Sequence, residues 1–464
     1  RFIGASTAFA RTSGMIERLF RGEAVLTRPY YRKFVPEIDW EWMFVLGIVL
    51  GALGAAFLSG SWRLLTVSDR WAASFGDGFV LRWAAALAGG VLMGLGARWW
   101  SPVASHTQAV DEAAALAIDR SGLQRSEIDG VLCGYATTLP HLMLSTLVCE
   151  RLALRPHYAH GMQLGGATGA AMLMAARELV RSGRCRNVLV LGGENRLTGQ
   201  SRDSSIQTLA QVGDMDYEVP NGASVPAYYA LMASQYMHLT GVTSQDMAEF
   251  AVLMRTHALG HPGAHLRTPI TLQEVLASKP IARPLLLLDC CPISDGAMAL
   301  VVSDQPSDHA AVAMVGAGQA HRQQHLTAME DVLQCGAGEA AQRAFDEAGL
   351  GLDDVDYLAI YDSFTITLTM LLEEIGFAPR GGAAQRARAG DFAAGGVLPL
   401  NTHGGLLSFG HCGVAGGMAH AVEAWEQMTG QAGARQIRQP RHAFIHADGG
   451  VMSSHVSLLL SRED

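Results

Sequence analysis

The sequence predicts an α/β protein assembled from two pseudo-symmetric halves and preceded by an all-α, membrane-type helical hairpin. Three observations carry this reading: a break in composition near residue 100, a repeat between residues 112–132 and 339–359, and short all-apolar runs bounded by glycine. The 464 residues are 49% hydrophobic and 17% charged, enough for two or three domains and too apolar for a disordered chain. A net charge of -9 argues against a nucleic-acid binder, which would show a basic face, so no nucleic-acid partner is expected. Seven cysteines are too few for a disulfide framework and read as reduced thiols. Arg1, not Met, opens the chain, which suggests a start further upstream.

The first element is residues 1–100. It holds seven of the eight tryptophans and none of the 17 histidines, and it is net positive while the remainder is net negative. Residues 43–60 form an 18-residue uncharged run, about the minimum for a bilayer span, with Trp40 and Trp42 at its entrance. A second apolar stretch covers residues 79–100, with Arg82 and Arg98 near its ends. Gly47/Gly51 and Gly90/Gly94 give each run a GxxxG face. Two buried soluble helices are the alternative. Arg18, Arg21, Arg28, Arg32 and Lys33 precede the first run, so the hairpin would return the chain to the cytoplasm. The rest would then be cytoplasmic, anchored to the inner membrane through residues 40–100. Residues 2–20 read as amphipathic.

The duplicated unit follows. Residues 112–132 and 339–359 align without a gap, with eight of 21 positions identical. Each copy reads as an amphipathic helix stopped by glycine (Gly122, Gly349) and followed by a strand, at 131–135 or 358–362. A glycine-rich stretch opens a helix at 165–182 and again after Gly413; the strands at 187–191 and 443–446 then run into Gly192-Gly193 and Gly449-Gly450. All-apolar strands of this length suit a sheet covered on both faces. Two such halves place a ligand at their junction, beyond strand ends and near helix N-termini. There is no GxGxxG after a strand and no P-loop, which argues against dinucleotide and ATP sites. The expected divisions are 1–100, then 105–304 with an inserted loop region at about 198–285, then 308–464.

Two resemblances attach to these residues. FARTSGMIERLF (9–20), the first apolar run and LAGGVLMGLGAR (87–98) resemble a fragment of YeeE/YedE-type membrane proteins. GGATGAAML (165–173), LDCCPISDGAMALVVSD (288–304), IYDSFTITL (360–368), the stretch 401–430 and HADGGVMSSH (446–455) resemble the thiolase superfamily, in its branch of sterol-carrier-protein thiolases and acetyl-CoA acetyltransferases. That resemblance covers residues 105–460. It implies a five-layer αβαβα fold, a homodimer and action on acyl-CoA thioesters. Coenzyme A would enter as part of the substrate, with no permanently bound cofactor.

The departures from the family pattern bear on chemistry. Gly166 stands where thiolases carry a nucleophilic cysteine at a helix N-terminus, a place that lowers a thiol pKa. Ala447 takes the place of the second cysteine, and the family's opening strand is absent or replaced. The histidine matching His411 helps thiolases bind the thioester oxygen, an oxyanion role. Tyr361 stands where the family has an oxyanion-hole asparagine, which resembles thiolase-like aldolases of steroid side-chain degradation. Their second tyrosine would match His411, and they work with a zinc-ribbon/OB-fold partner protein. The catalytic candidates are therefore His411, Tyr361, His403 and Asp362; Asn401, Gly166, Gly404, Gly405, Gly449 and Gly450 are the candidate substrate-binding positions. Cys412, Cys290 and Cys291 read as packed thiols, and no metal site is expected.

Three functional readings follow. One is a thiolase-like acyltransferase-superfamily enzyme that makes or breaks a carbon–carbon bond in an acyl-CoA without the usual cysteine. A retro-aldolase acting on a β-hydroxyacyl-CoA, with its partner protein, is the second. The third is a non-catalytic acyl-CoA or lipid-binding homologue. The breaks that coincide at residues 99–105 fit either a membrane-anchored fusion or a chimeric gene product.

Overall fold

The computed structural model describes residues 5–27, 37–38, a few positions between 43 and 59, and residues 102–222, 224–305 and 312–462. The chain divides into two compact units, Arg1–Gly96 and Ala97–Asp464. In the first, α1 (Ala5–Arg21) runs into a 3-10 turn, Gly22–Thr27, tied by an Arg18–Glu23 ion pair. Among the described residues no helix is long and apolar enough to cross a membrane. The expected span at 43–60 lies largely outside the described residues, and that at 79–100 lies wholly outside them.

The second unit opens with α2 (Pro102–Ser121), stopped at Gly122, whose φ of +73° is a left-handed conformation that costs glycine little. Then come β1 (Gly130–Gly134), α3 (Leu144–Arg151), β2 (Tyr158–Met162), α4 (Thr168–Arg181) and β3 (Asn187–Asn195). Residues 198–285, expected as an inserted loop region, are largely helical. They carry α5 (Val225–Thr240), α6 (Ser244–Ala258) and a small hairpin, β4 (Pro280–Ala282) with β5 (Leu285–Leu286). The cause is local. The Thr243 side chain accepts from the Asp246 amide while Asp246 accepts from the Thr243 amide, a reciprocal cap on α6. Tyr228, Met232 and Tyr236 bury one side of α5.

The chain then returns to the sheets with β6 (Asp295–Ser303), β7 (Val312–His321), α7 (Ala337–Ala348), β8 (Tyr357–Ile360), α8 (Thr365–Ile375), α9 (Val414–Thr429), β9 (His442–Gly449) and β10 (Ser454–Arg462). One sheet has the order β2-β1-β3-β6 and the other β7-β10-β9-β8. The β1–β2, β1–β3 and β8–β9 pairs are parallel; β6 runs antiparallel to β3, and β10 to both β9 and β7. The halves thus match, β1 with β8, β3 with β9 and β6 with β10. Among the described residues of the first half β7 has no counterpart.

Packing makes five layers. Leu189, Leu191 and Val131 on one face of the first sheet bury against Val110, Ala114 and Ile118 of α2 and Val148 of α3. The opposite face packs on α4 and α9, which also cover Tyr357, Ile445 and Leu458 of the second sheet. The outer face of that sheet packs Phe444 and Leu459 against Phe345 of α7 and Leu368 of α8. α4 and α9 therefore lie between two sheets. They approach closely because a β-carbon on Gly169 would stand within 3.0 Å of Met418. Both helices point their N-termini at the junction, where the candidate residues gather.

Candidate active site

The loop before α4 sets the first wall. Gly165 has φ +56° and packs so tightly that a β-carbon there would stand within 3.0 Å of the Gly450 amide. A β-carbon on Gly449 would meet the Leu164 carbonyl equally closely. The two glycine loops, one from each half, are thus pressed backbone to backbone. At Gly166 a β-carbon would overlap Tyr361 Oη and the Asp448 carbonyl oxygen. The tyrosine hydroxyl fills the space a side chain at position 166 would need.

Tyr361 follows β8 and is buried, while Gly166 and His411 keep partial exposure. Its Oη lies 2.9 Å from His411 Nε2, and the two rings meet edge to face at 6.0 Å. Burial pushes the phenol well above its ordinary pKa; it also takes His411 down to about 3, with the Arg196 charge acting the same way. A neutral imidazole beside a protonated phenol allows either group to donate in this bond; when Tyr361 donates to Nε2, the ring hydrogen sits on Nδ1. Arg196, at the end of β3, is itself buried and paired with Glu194.

Asp448 lies behind the pair. Tyr229 Oη donates to its Oδ2 at 2.7 Å, while Oδ1 has no partner. Burial raises this carboxyl to about 8, partly offset by the Tyr229 hydrogen bond.

The remaining candidates face elsewhere. Asp362 accepts from the Leu406 amide at 2.7 Å and the Leu407 amide at 3.3 Å, so it holds the Gly405–Phe409 turn and does not reach Tyr361 Oη. A β-carbon on Gly405 would overlap that carboxylate, and one on Gly404 would overlap Ala258. Asn401 spends both ends of its amide on Ile360, accepting from its N–H at 2.9 Å and donating to its C=O at 2.7 Å. His403 is buried behind Phe409 with neither ring nitrogen hydrogen-bonded. The structure therefore gathers Gly166, Tyr361, His411, Gly449 and Gly450 at the opening, and Asp362, Asn401, His403, Gly404 and Gly405 behind it. Burial pushes the Cys412 and Cys290 thiols up to about 12, and Cys291 higher still, which leaves no ready thiolate. Among the described residues no group of histidine, cysteine and carboxylate side chains could hold a metal ion.

Comparison with known proteins fixes the family. The thiolase C-terminal domain-like family matches residues 318–462. The benzoylsuccinyl-CoA thiolase subunit BbsB of Thauera aromatica is 31% identical over 294 residues, 61% of this chain and 74% of that protein. The chain belongs to the thiolase superfamily. Within that superfamily it is also similar to a steroid side-chain-cleaving aldolase of Thermomonospora curvata, 34% identical over 339 residues, 68% of this chain and 85% of the relative. Among solved structures it resembles the Ltp2-ChsH2(DUF35) aldolase, with a TM-score of 0.67 and 29% identity, covering 77% of this chain and 93% of that one. The YeeE/YedE resemblance of residues 1–100 finds no support in these comparisons.

Sequence reasoning missed Tyr229, Arg196 and Asp448 as members of this thiolase-type site. Asp448 was visible inside HADGG, but nothing in the motif marked it as buried. Tyr229 comes from the inserted region and carries no local signal.

Proposed function

We propose that the chain cleaves β-hydroxyacyl-CoA thioesters by a retro-aldol reaction. The observation that carries this is the replacement of a nucleophile by an acid–base pair: Tyr361 Oη occupies the side-chain space of Gly166 and is bonded to His411 Nε2. Acyl transfer by ping-pong needs a group to acylate, and glycine offers none. Retro-aldol cleavage needs only proton transfers. The β-hydroxyl gives its proton to Tyr361 as the phenol passes its own to His411. The Cα–Cβ bond breaks, a carbonyl forms at Cβ, and the electron pair moves into a thioester enolate. The enolate carbon then takes a proton back, so the step is proton-neutral overall. The positive end of the α4 dipole favours the enolate oxygen.

The aldolase relatives support this reading, and the DUF35 protein named with one of them suggests a zinc-ribbon/OB-fold partner over the partly exposed Gly166 and His411. The test is to incubate the chain, alone and with such a partner, with acetyl-CoA and with branched β-hydroxyacyl-CoAs. The expected products are a ketone or aldehyde and a shortened acyl-CoA, from the hydroxyacyl substrates only. Thiolytic acetyl exchange from acetyl-CoA without any carbonyl product would overturn it.

A further inference from the structure

Behind the Tyr361–His411 pair stands a set of buried imidazoles that the cleavage chemistry above does not use. His411 Nδ1 has no hydrogen bond and faces α9, 3.5 Å from where a β-carbon of Gly416 would stand. One turn further along α9, His420 is buried, with its ring 6.2 Å from that of Tyr361. Its Nδ1 is unpartnered; Nε2 lies 3.5 Å from Asp362 Oδ1 without forming a hydrogen bond. The His403 ring follows at 5.0 Å, buried, with both nitrogens unpartnered. Phe409 contacts both His403, at 5.3 Å, and the partly exposed His261, at 4.8 Å. His420 and His403 thus lie next to each other behind the site, and the partly exposed His261 lies across the Phe409 ring from His403, close enough for its charge to act on it.

An unpaired buried imidazole nitrogen costs about 1–3 kcal/mol, so a chain that only needed to fill this space would do better with apolar side chains. The orphaned atoms therefore point to partners. A metal is not favoured, since no described group of ligands is placed to hold one. Water suits such nitrogens: a buried water makes about three hydrogen bonds, and His403 and His420, with rings 5.0 Å apart, leave all four ring nitrogens unpartnered, one of them 3.5 Å from Asp362 Oδ1. The charged and titratable neighbours are Asp362 and Glu423 beside His420, His257, His261 and Arg435 around His403, Arg267 beside His261, and Arg196 beside His411. Burial keeps His403 and His420 neutral, so each can accept on one nitrogen and donate from the other.

We propose that His420, His403 and His261 form a water-bridged proton path from the Tyr361–His411 pair to solvent. Its use rests on the retro-aldol reading. When His411 receives the phenolic proton on Nε2, its Nδ1 proton leaves through this path; one proton returns the same way as the enolate carbon is protonated from the phenol. Charge and atoms balance over the cycle.

The path can be tested without substrate. Exchange of the imidazole C2 hydrogen with deuterium, followed by mass spectrometry on the full chain, reports each ring's access to water. His446 is the internal control, since it is equally buried but has both nitrogens bonded, to Ser457 and His455. His403 and His420 are expected to exchange about tenfold faster than His446, and His403→Phe should slow His420 to the control rate. His403→Gln, which can still bind water, should leave His420 fast. In an active preparation His403→Phe should lower kcat with KM unchanged. Equal protection of His403, His420 and His446 in the unmodified chain would overturn the path, whether or not cleavage is observed. Absence of cleavage with fast exchange would sink the retro-aldol reading alone.

Discussion

A hydroxyl in the place of a missing side chain makes Gly166 and Tyr361 a single structural unit. Adding even one methyl group at position 166 forces Tyr361 Oη or the Asp448 carbonyl to move. Overpacking of this kind costs about 1–3 kcal/mol, so Gly166→Ala should lower the unfolding free energy from urea titration by that amount. Pairing it with Tyr361→Ala should recover a large part, since the two residues are in contact; additive losses in the four-variant cycle would contradict the geometry. Asp448 offers a second test at this scale. Its pKa is raised to about 8 in the folded chain against about 4 unfolded. Its stabilising contribution is therefore full below about pH 4 and lost as pH rises through 8. Denaturation midpoints measured across that window should decline for the parent chain, and Asp448→Asn should remove this part of the decline.

Helix α4 carries the glycine wall at one end and an ion-pair anchor at the other. Arg177 binds Glu347 of α7 through two contacts, at 2.7 and 2.9 Å; Arg181 adds a third at 2.8 Å, and the Ala317 amide of β7 donates to the same carboxylate at 2.9 Å. These partners hold Glu347 down at about 2. Because its folded pKa is depressed, the stabilisation is present above about pH 4.5 and lost as pH falls through 2. Glu347 is 36% exposed, so solvent screens the interaction and its worth is that of a good surface pair, about 1 kcal/mol at most. Glu347→Gln should lower the Tm at pH 7 by about 1 °C and flatten the acid limb of the stability curve. An unchanged Tm would mean that α4 is held by its apolar face alone.

Across the whole molecule, what could be read from the sequence is what is local and repeated. The repeat around Gly122 and Gly349 marked two equivalent helix ends because each needs a left-handed residue, and both have one, at φ +73° and +66°. Gly166, Tyr361 and His411 could be picked out because the stretches that hold them, 165–173, 360–368 and 401–430, resemble thiolase motifs. The direction of a side chain within such a stretch could not. Asn401 has φ +47°, and that single dihedral helps aim its amide into β8 instead of the opening. Asp362, one residue after Tyr361, points the opposite way, as neighbours along an extended chain do. Tyr229 meets Asp448 across 219 residues, a pairing that only the packed fold creates. His420 reads as one more polar position in an alanine-rich helix until its unpartnered nitrogens are seen.

Cleavage without a thiol is the claim on which the functional reading stands, and one side-by-side assay tests it. Turnover of a branched β-hydroxyacyl-CoA would be measured for the parent chain, Cys412→Ser and Tyr361→Phe, following the released carbonyl compound. Cys412→Ser should stay within about twofold of the parent, whereas Tyr361→Phe should fall by about 100-fold or more, the usual worth of a positioned acid–base group. Activity that survives in Tyr361→Phe but vanishes in Cys412→Ser would contradict it.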